Sequence, residues 1–599
     1  MKSIRFSCCI LAVISFIFAL EPARVRLDPV PKLRGDEALP FSKVVPYIGG
    51  RQSPGDSIGM TWNEYQANGC YGQRLVVDSR HQVHVDWMWM DATQTSRYCA
   101  WNARYVDGIY FGETQASLSW SGMPNLDITR HVNPDSQRTV ICYHYWPGGN
   151  YRSWIDIDSA NLAGSWPNNP KDLPINDHIW PRIAVTQNNT ILLATGDNNY
   201  ERNHLYRSTD FGDSWDLIAD FDSIHKMGHF LRASHFPGSQ KAVFVYTQYF
   251  CDTSGCGCRD QDVWYMTTGD NGMTWSDRID LTNYQPYPID SARVYVGTNA
   301  VYDANDNLHI AWSGRKVTDY MYEASKIFHW DEVHDVFSVV NSPSIYYYEP
   351  DGWWIATATS GSPGAYHMPA MDPQLIVDTT SNWLYCLWQG NDDYNDCSAG
   401  RYFNGELYGS VSMDSGLTWS DYVNLTNTRS PGAGPGACMD EDYMTAYPYV
   451  VNDSIYITFI EDKDAGGYVQ GEGILTENPV RCWVFHKDLI PGIKEKNPLK
   501  TEYTTPMLDV YPNPFRDKTQ IRYMIQDTRY MMNGYSLKIF DAAGQLVRDF
   551  SRSTPNALHP TVITWDGSDN TGKKLPGGVY FLEFEAGDYK ETKKLILLK

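Results

Sequence analysis

Positive charge is scarce in this sequence. Lys and Arg number 49 against 71 Asp and Glu, which gives a formal net charge of −22, and charged residues make up only 20% of the chain. Nucleic acids and anionic membranes bind clustered positive charge, so neither is an expected partner. The sequence also lacks a phosphate-binding loop, a nucleotide-binding glycine loop and an HExxH zinc motif.

Long apolar runs are missing as well, with one exception near the start. Residues 7–20 form an apolar stretch behind Lys2 and Arg5 that is too short, with these flanks, for a membrane span. The pattern predicts a secretory signal over residues 1–23, followed by an N-terminal extension over residues 24–60. No other run approaches about 18 apolar residues, so we expect no integral membrane span.

The chain is instead rich in aromatic residues. They make up 14% of its 599 residues, with 41 Tyr and 21 Trp, and hydrophobic residues in total reach 42%. The hydrophobic content excludes wholesale disorder, and the aromatic content favours strands over helices. Because the length is several times that of one ordinary domain, we expect an all-β protein with one large unit and a smaller module.

The cysteine count is interpreted from the predicted export. Cys8 and Cys9 would leave with the signal, so ten of the 12 cysteines remain, an even number that predicts disulfides in an exported protein. Cys386 and Cys397 are the expected local bridge. One cluster has a metal site as its less favoured alternative, because its spacing is unusual for zinc: Cys251, Cys256 and Cys258.

A hairpin pattern recurs through the middle of the chain. Each copy has a short β-rich run, a polar turn and a second β-rich run, as in residues 182–195 and 300–312. Seven such hairpins between about residues 70 and 490 are spaced by about 60 residues, which fits four-stranded blades with long loops. The spacing predicts a β-propeller of six or seven blades over residues 61–490.

A sharper repeat is an octapeptide that occurs three times, as STDFGDSW (208–215), TGDNGMTW (268–275) and SMDSGLTW (412–419). In such a turn the Asp carboxylate accepts bonds from turn N–H groups, Gly adopts a positive φ and Trp packs into the sheet. The octapeptides resemble the Asp boxes of sialidase-like β-propellers. The resemblance implies structural roles for Asp210, Gly212, Trp215, Asp270, Gly272, Trp275, Asp414, Gly416 and Trp419.

The same resemblance implies a catalytic centre if the propeller is an exo-acting glycoside hydrolase of sialidase type. That reaction uses several Arg for a sugar carboxylate, a Tyr nucleophile activated by Glu, and an acid. Arg182 and Arg202 would match the first two of these arginines, and Arg232 precedes another inner strand. Glu441 and Tyr443 are two residues apart in a predicted strand and would share one face. The alternatives are salt bridges for the arginines and ordinary packing for the tyrosine.

A binding propeller without catalysis is the favoured interpretation. Aromatic and imidazole side chains with polar neighbours suit stacking on sugar rings or holding a peptide, although blade packing also needs large aromatics. We therefore expect a glycan or an extracellular protein as the ligand, and no cofactor; a surface-layer protein is a third alternative. The candidate ligand-binding residues are His178, Trp180, His229, Arg293, Tyr366 and His367.

Two acidic stretches raise the question of calcium. Asp303, Asn305 and Asn307 alternate as in a calcium loop, but the Gly and Glu of such a loop are missing, so a hairpin turn is predicted. The acidic group over residues 392–396 is predicted to be a solvated loop. We predict no metal site, and a structural calcium ion is the alternative at these stretches.

The C-terminal residues form a separate module. Residues 491–506 are rich in Pro, Lys, Glu and Thr and predict a linker. Short alternating runs between Gly- and Asn-containing turns then predict a small immunoglobulin-like β-sandwich over residues 507–599. The motifs YPNPF (511–515), WDG (565–567) and PGGVY (576–580) resemble the C-terminal sorting domain of the type IX secretion system. The resemblance implies the outer-membrane secretion machinery as a partner, and a place at the cell surface or in the medium.

Overall fold

The computed structural model divides into two compact units, Met1–Ile493 and Lys494–Lys599, and each is described by itself. The predicted signal, most of the predicted extension and linker, Tyr366, and the cluster of Cys251, Cys256 and Cys258 lie outside the described residues. The described residues are 52–67, 69–167, 171–173, 177–200, 202–222, 224–249, 261–285, 292–316, 324–341, 354–355, 361–364, 367–393, 395–492, 507–511, 513, 515–516, 518–524, 535–550, 561–586 and 589–598.

Antiparallel β-sheet forms nearly all regular structure of the first unit, as the aromatic-rich composition predicts. The first strand is β1 (Asp56–Thr61). Sheet 1 contains β2 (Leu75–Val77), β3 (Val83–Met90), β4 (Arg97–Arg104) and β5 (Thr114–Gln115). Sheet 2 contains β6 (Ser121–Ile128), β7 (Thr139–Tyr145), β8 (Arg152–Ile157) and β9 (Lys171–Asp172). Sheet 3 contains β10 (His178–Val185), β11 (Ile191–Asp197), β12 (Arg202–Ser208) and β13 (Asp216–Asp222).

The same up-and-down order continues along the chain. Sheet 4 contains β14 (Ile224–Ala233), β15 (Ala242–Tyr249), β16 (Gln261–Thr268) and β17 (Ile279–Asp280). Sheet 5 contains β18 (Ala292–Tyr302), β19 (Leu308–Lys316), β20 (Ala324–Asp331) and β21 (Phe337–Val339), and β22 (Trp354–Ile355) also pairs with β20. Sheet 6 contains β23 (Ala370–Asp378), β24 (Trp383–Gly390), β25 (Glu406–Ser412) and β26 (Val423–Asn424). Three 3-10 helices occur within the described chain, at Pro134–Ser136, Tyr468–Gln470 and Lys487–Leu489.

Sheet 7 joins the two ends of the first unit. It contains β27 (Asp440–Ala446), β28 (Ser454–Asp462) and β29 (Asn478–His486), and its fourth strand is β1. The antiparallel register of β1 on β29 runs from Asp56 opposite Cys482 to Thr61 opposite Asn478. The chain therefore passes from sheet 7 directly to sheet 1, through residues 62–74.

Each sheet packs its face against the next sheet of the chain. Leu192 and Phe244, for example, belong to one buried apolar cluster between sheets 3 and 4. Corresponding clusters lie between sheets 1 and 2, 2 and 3, 4 and 5, 5 and 6, and 6 and 7 in the described part of the unit. A further cluster, with Trp87 and Ile460, lies between sheets 1 and 7. Burial of both faces explains why strands such as β15 (AVFVYTQY) and β24 (WLYCLWQG) have apolar residues on both faces.

The loops of every sheet lie at the two ends of its strands, and we call each end an edge of the sheet. The loops that join the second strand to the third lie at one edge, which we call the front edge. The loops that join the first strand to the second and the third to the fourth lie at the opposite, back edge. The three octapeptides join the third and fourth strands of sheets 3, 4 and 6, so they all lie at the back edge.

The three octapeptide turns have the same hydrogen bonds. In the second copy, Asp270 accepts bonds from the backbone N–H of Thr274 at 2.8 Å and from its hydroxyl at 2.6 Å. The hydroxyl of Thr268 accepts the N–H of Gly272 at 3.0 Å, and Gly272 has a φ of 80°. The other two copies repeat these bonds at Ser208, Asp210 and Ser214 and at Ser412, Asp414 and Thr418.

Replacing Asp270 by Ala should lower the free energy of unfolding by about 1 kcal/mol at pH 7, because the turn loses its charge-assisted acceptor. Bonds from the Thr274 hydroxyl and N–H lower the pKa of Asp270 to about 2. The stabilisation is therefore present above the unfolded-state pKa and is lost as the pH falls from about 4 to about 2. Urea unfolding of the full chain at pH 7 and pH 3 checks this.

Exposed Met273 in the same turn provides the control variant, Met273→Ala, which should change the free energy of unfolding at neither pH. Equal stability of Asp270→Ala and the wild type at pH 7 would refute the assigned role.

The structure does not confirm the predicted disulfides among the cysteines that it describes. All seven are reduced thiols, Cys386 and Cys397 included. Cys386 is buried in the apolar cluster between sheets 5 and 6, whereas Cys397 packs against Phe403 in a loop. The two side chains belong to different parts of the core, so their closeness in sequence does not bring their sulfur atoms together.

The second unit contains two antiparallel sheets around one apolar core. One sheet contains β30 (Met507–Tyr511), β31 (Thr519–Met524) and β34 (Thr561–Trp565). The other contains β32 (Tyr535–Asp541), β33 (Leu546–Asp549), β35 (Gly578–Ala586) and β36 (Tyr589–Leu597). Ile521 and Trp565 of the first sheet and Leu537 and Leu582 of the second share the core. No helix in the described residues of either unit is long and apolar enough to cross a membrane.

Candidate functional site

In most sheets a β-bulge interrupts the first strand, which we call the inner strand (β27 in sheet 7). In sheets 2, 3, 5, 6 and 7 the register shifts there and a residue adopts a positive φ. Such bulges re-aim the side chains next to them and are common beside functional sites. The positive-φ residues are Met123, Trp180, Gly297, Asp372 and Tyr443.

A five-residue segment before β2, which we call the hub segment (residues 70–74), contacts these inner strands. Arg182 of sheet 3 donates to the carbonyl of Cys70 at 2.6 Å. The Cys70 sulfur lies 3.1 Å from the hydroxyl of Thr298 in sheet 5. Arg232 of sheet 4 donates to the side-chain oxygen of Gln73. The hub segment therefore bonds to sheets 3, 4 and 5, all of which lie far from it in sequence.

The remaining hub residues contact the other sheets. Arg74 donates to the carbonyl of Tyr443 in sheet 7. The Tyr71 side chain lies near the carboxylate of Asp372 in sheet 6, and its ring centroid lies 5.2 Å from that of Tyr443. The carbonyl of Gln73 accepts the N–H of Leu126 in sheet 2 at 2.8 Å. The hub segment thus touches inner strands of sheets 2 to 7.

The predicted catalytic arginines are separated. Arg182 and Arg232 are buried, and their guanidinium groups donate to the hub segment and to backbone carbonyls. Arg202 lies on β12, is partly exposed, and pairs with Asp222 at 2.6 Å. The structure therefore brings Arg182 and Arg232 to the hub segment, whereas Arg202 lies apart from them on the third strand of sheet 3.

Glu441 and Tyr443 do not share a face, because Tyr443 lies in the bulge that follows Asp442 and has a positive φ, which breaks the alternation of β27. The carboxylate of Glu441 accepts bonds from Ser53 and, at 2.6 Å, from Thr428. The ring of Tyr443 instead packs on Tyr65 and Tyr71. Burial, followed by the neighbouring tyrosines, raises the pKa of Tyr443 well above its ordinary value, which opposes a role as a nucleophile.

Most of the predicted ligand-binding residues are buried. His178 stacks on His204 with centroids 4.4 Å apart, and burial followed by the His204 charge lowers the pKa of His178 to about 3. His229 lies 3.1 Å from the carbonyl of Trp180 through its Nε2. Arg293 donates to the carbonyl of Gln285 at 2.9 Å. These four residues, His178, Trp180, His229 and Arg293, are packed within or between sheets.

Among the predicted ligand-binding residues that the structure describes, His367 lines a cleft. The cleft has a volume of about 20 Å³ and is lined by Pro363, His367, Gln389, Asn391, Asp440 and Asp442, among others. His367 Nε2 lies 3.6 Å from Asp442 Oδ1.

Sequence reasoning missed the carboxylates beside this cleft. Asp440, Asp442 and Asp462 are buried, and one carboxylate oxygen from each lies within 4.8 Å of the others. Burial and then the charge of Asp442 raise the pKa of Asp462 to about 8. A signal was available in the sequence, since acidic residues begin β27, as DED (440–442), and end β28, as ED (461–462).

The two acidic stretches that raised the question of calcium are neutralised locally. Asp303 accepts the N–H groups of Asn305 and Asn307, both at 2.8 Å, in the predicted hairpin turn. Arg429 forms ion pairs with Asp392 and Asp393.

Large exposed aromatics collect at the front edge of sheets 2 and 3. Trp146 (42% exposed) lies in the β7–β8 loop, and Tyr200 (68% exposed) lies in the β11–β12 loop. Trp120 (38% exposed) immediately precedes β6, whose first residue pairs with the last residue of β7. We call Trp120, Trp146 and Tyr200 the aromatic rim.

Asp177 fixes the two loops of the rim to each other. Its carboxylate accepts the N–H of Tyr151 at 3.1 Å and the side-chain amide of Asn198 at 3.0 Å. The backbone N–H of Asn198 donates to the Asp177 carbonyl, also at 3.0 Å. Trp146 and Tyr200 are therefore held on loops tied through one residue, which limits the motion of the rim.

Comparisons with known proteins match the C-terminal unit to a family. The family described as "Secretion system C-terminal sorting domain" matches residues 509–598. Curated proteins give no match to the chain.

Solved structures of low identity resemble parts of the chain. One is a polysaccharide lyase of family PL25, an ulvan lyase, with 11% identity, 73% of this chain and 96% of that chain covered, and a TM-score of 0.47. PorZ, a surface component of the type IX secretion system of Porphyromonas gingivalis, has 12% identity, 88% and 60% coverage, and a TM-score of 0.35. The Hadza microbial sialidase Hz136 has 12% identity, 64% and 73% coverage, and a TM-score of 0.30.

The family match confirms the resemblance carried by the C-terminal motifs. A sorting domain of this kind is the part of an exported protein that the secretion machinery recognises. The protein is exported by the type IX secretion system to the cell surface or the extracellular space.

Proposed function

We propose that the first unit is a seven-bladed β-propeller of the sialidase-like, Asp-box type. The apolar cluster between sheets 7 and 1 supports a closed ring, as does the entry of β1 into sheet 7. The contacts of the hub segment with inner strands of sheets 2 to 7 support a common axis. For the second unit we infer an immunoglobulin-like sandwich from its two antiparallel sheets around one core.

The propeller is proposed to bind glycans outside the cell, and the aromatic rim is the observation that carries this proposal. Exposed Trp and Tyr side chains stack on the apolar faces of sugar rings, and loops held rigid lose little entropy on binding. Large aromatics exposed together need a role, because a folded chain normally buries them. The net charge of −22 favours a neutral glycan over a polyanionic one.

Several positions speak against the sialidase alternative. Three arginines must reach one carboxylate in that reaction, but Arg182 and Arg232 donate to the hub segment and Arg202 is paired with Asp222 on the third strand of sheet 3. Tyr443, the nucleophile in that scheme, is buried between two other tyrosines. We therefore expect no turnover of a fluorogenic sialoside by the wild-type protein.

Loss of one aromatic side chain of the rim should weaken glycan binding. A glycan array of neutral oligosaccharides would identify a ligand, and calorimetry would then compare the variants Trp146→Ala and Tyr200→Ala with the wild type. We expect each variant to bind about tenfold more weakly, since one ring stack contributes about 1 kcal/mol or somewhat more.

The matched control for this experiment is Phe211→Ala. Phe211 is an exposed aromatic of sheet 3 at the back edge, away from the rim. Unchanged affinity in this control, with loss in the rim variants, supports the proposal. Wild-type affinity in both rim variants contradicts it, and hydrolysis of the sialoside or capture of a protein ligand instead would favour the other two functions.

A further inference from the structure

The buried acids beside the cleft lack counter-charges. Asp440 and Asp462 form no ion pair within the described residues, and Asp442 faces only the imidazole of His367. Lys463 is adjacent in sequence but pairs with Glu461 at 2.5 Å. Burial of several carboxylates without a cation is strongly unfavourable, so either protons or a bound cation must neutralise them.

Each of the three carboxylates has one oxygen in use and one available. Oδ1 of Asp440 accepts the N–H of Gly405, and Oδ1 of Asp442 accepts the amide of Gln389 at 3.1 Å. Oδ1 of Asp462 accepts the hydroxyl of Thr476 at 3.2 Å and the N–H of Asp464. Within the described part of the chain these bonds all go to Oδ1, so the three Oδ2 atoms can serve an ion.

A fourth carboxylate provides an independent sign of a ligand. Glu64 is only 6% exposed, and its Oε1 atom is buried without a hydrogen-bond partner among the described residues. It lies close enough to Asp462 and Asp442 for their charges to act on it. A buried carboxylate oxygen with no donor is costly unless something occupies the space in front of it.

We propose that Asp440, Asp442 and Asp462 bind one divalent cation of the calcium class, with the buried carboxylate of Glu64 close by but outside this group of three. Calcium takes oxygen ligands at about 2.4 Å, so two ligands on opposite sides of one ion lie about 4.8 Å apart, which is the limit that the three aspartates meet. An all-oxygen set disfavours zinc, and irregular geometry suits calcium better than magnesium. The adjoining cleft of about 20 Å³ provides room for about one water ligand.

The ion would tie together two strands of sheet 7, because Asp440 and Asp442 belong to β27 and Asp462 to β28. Glu64 follows β1 on the way to the hub segment, and the effect of the Asp462 and Asp442 charges on it places the site beside the crossing from sheet 7 to sheet 1.

Calcium binding by the full chain, after chelator treatment and desalting, tests the proposal directly. Calorimetry should show one Ca²⁺ bound per chain, and the melting temperature should rise by several degrees with Ca²⁺. In the variant Asp442→Asn/Asp462→Asn the affinity should fall at least tenfold. In chelator this variant should be at least as stable as the wild type, because the repulsion between carboxylates is relieved.

The control variant is Asp392→Asn/Asp393→Asn, which removes two acids already paired with Arg429 and should leave calcium binding unchanged. If the site variant does not fold, wild-type protein with Tb³⁺ provides the readout, since Tyr71 and Tyr443 lie nearby and should sensitise its luminescence in competition with Ca²⁺. No calcium binding by the wild type overturns the proposal. Equal binding by the site variant, or a variant less stable than the wild type in chelator, also overturns it.

Discussion

The variant Gly72→Ala should lower the free energy of unfolding by about 3 kcal/mol. A Cβ atom on Gly72 would overlap the side-chain amide of Asn125 and lie 2.8 Å from Arg182 Cδ. Both side chains follow bulges of inner strands and are held by several contacts, so neither can move away cheaply, and overpacking a buried site costs about this much. Urea unfolding followed by tryptophan fluorescence measures the difference.

Gly269→Ala is the matched control for this prediction. Nothing lies within 4 Å of a Cβ built on Gly269, and its φ is not positive. This change should be neutral or slightly stabilising, since it restricts the unfolded chain. If Gly72→Ala proves as stable as Gly269→Ala, the hub segment is not enclosed by the inner strands.

The variant Glu461→Ala should be more destabilising than Gly72→Ala and lower the free energy of unfolding by about 4 kcal/mol. The carboxylate of Glu461 is fully buried between Lys463 Nζ at 2.5 Å and the guanidinium of Arg481, whose Nε lies at 2.7 Å. Its removal leaves two buried cations without a counter-charge, and breaking a buried ion pair costs about 3–5 kcal/mol. Sheet 7 would be the first part to lose its packing.

A second variant separates the charge effect from a packing effect. Replacing Glu461, Lys463 and Arg481 together by Met removes both charge signs, so most of the lost stability should return. An exposed pair, Lys171 with Asp213, gives the opposite control, since Lys171→Ala should change the free energy of unfolding by no more than about 0.5 kcal/mol. A triple variant as unstable as Glu461→Ala would show that shape, not charge, holds these residues.

The predictable part of the fold is local. The octapeptide turns depend on contacts within eight residues, and the structure has the predicted bonds in all three copies, as at Asp270 and Thr274. The β2–β3 and β10–β11 hairpins fall where their alternation predicts. The closure of sheet 7 by β1 was not predicted, because Asp56 and Cys482 pair across almost the whole first unit and β1 lies in the segment taken as an extension.

The candidate site was harder to predict, for two physical reasons. Both faces of the inner strands are buried, so alternation cannot tell which side chain is open to a ligand, and His178 and Trp180 proved to be packed. Bulges also change the face of every later residue, which separated Glu441 from Tyr443. The prediction of export, by contrast, depends on local motifs, and the family match confirms it.

We propose that β1 closes a ring of sheets by pairing with β29, and a disulfide cross-link between these two strands tests the closure. In the register of β1 on β29, Asp56 lies opposite the native thiol of Cys482, whereas Ser57 lies opposite Arg481. After mild oxidation and digestion, the variant Asp56→Cys should give a peptide disulfide-linked to Cys482, and the control Ser57→Cys should not, because its side chain points to the other face. Absence of the link in Asp56→Cys, or equal linking in both variants, would contradict the closed ring.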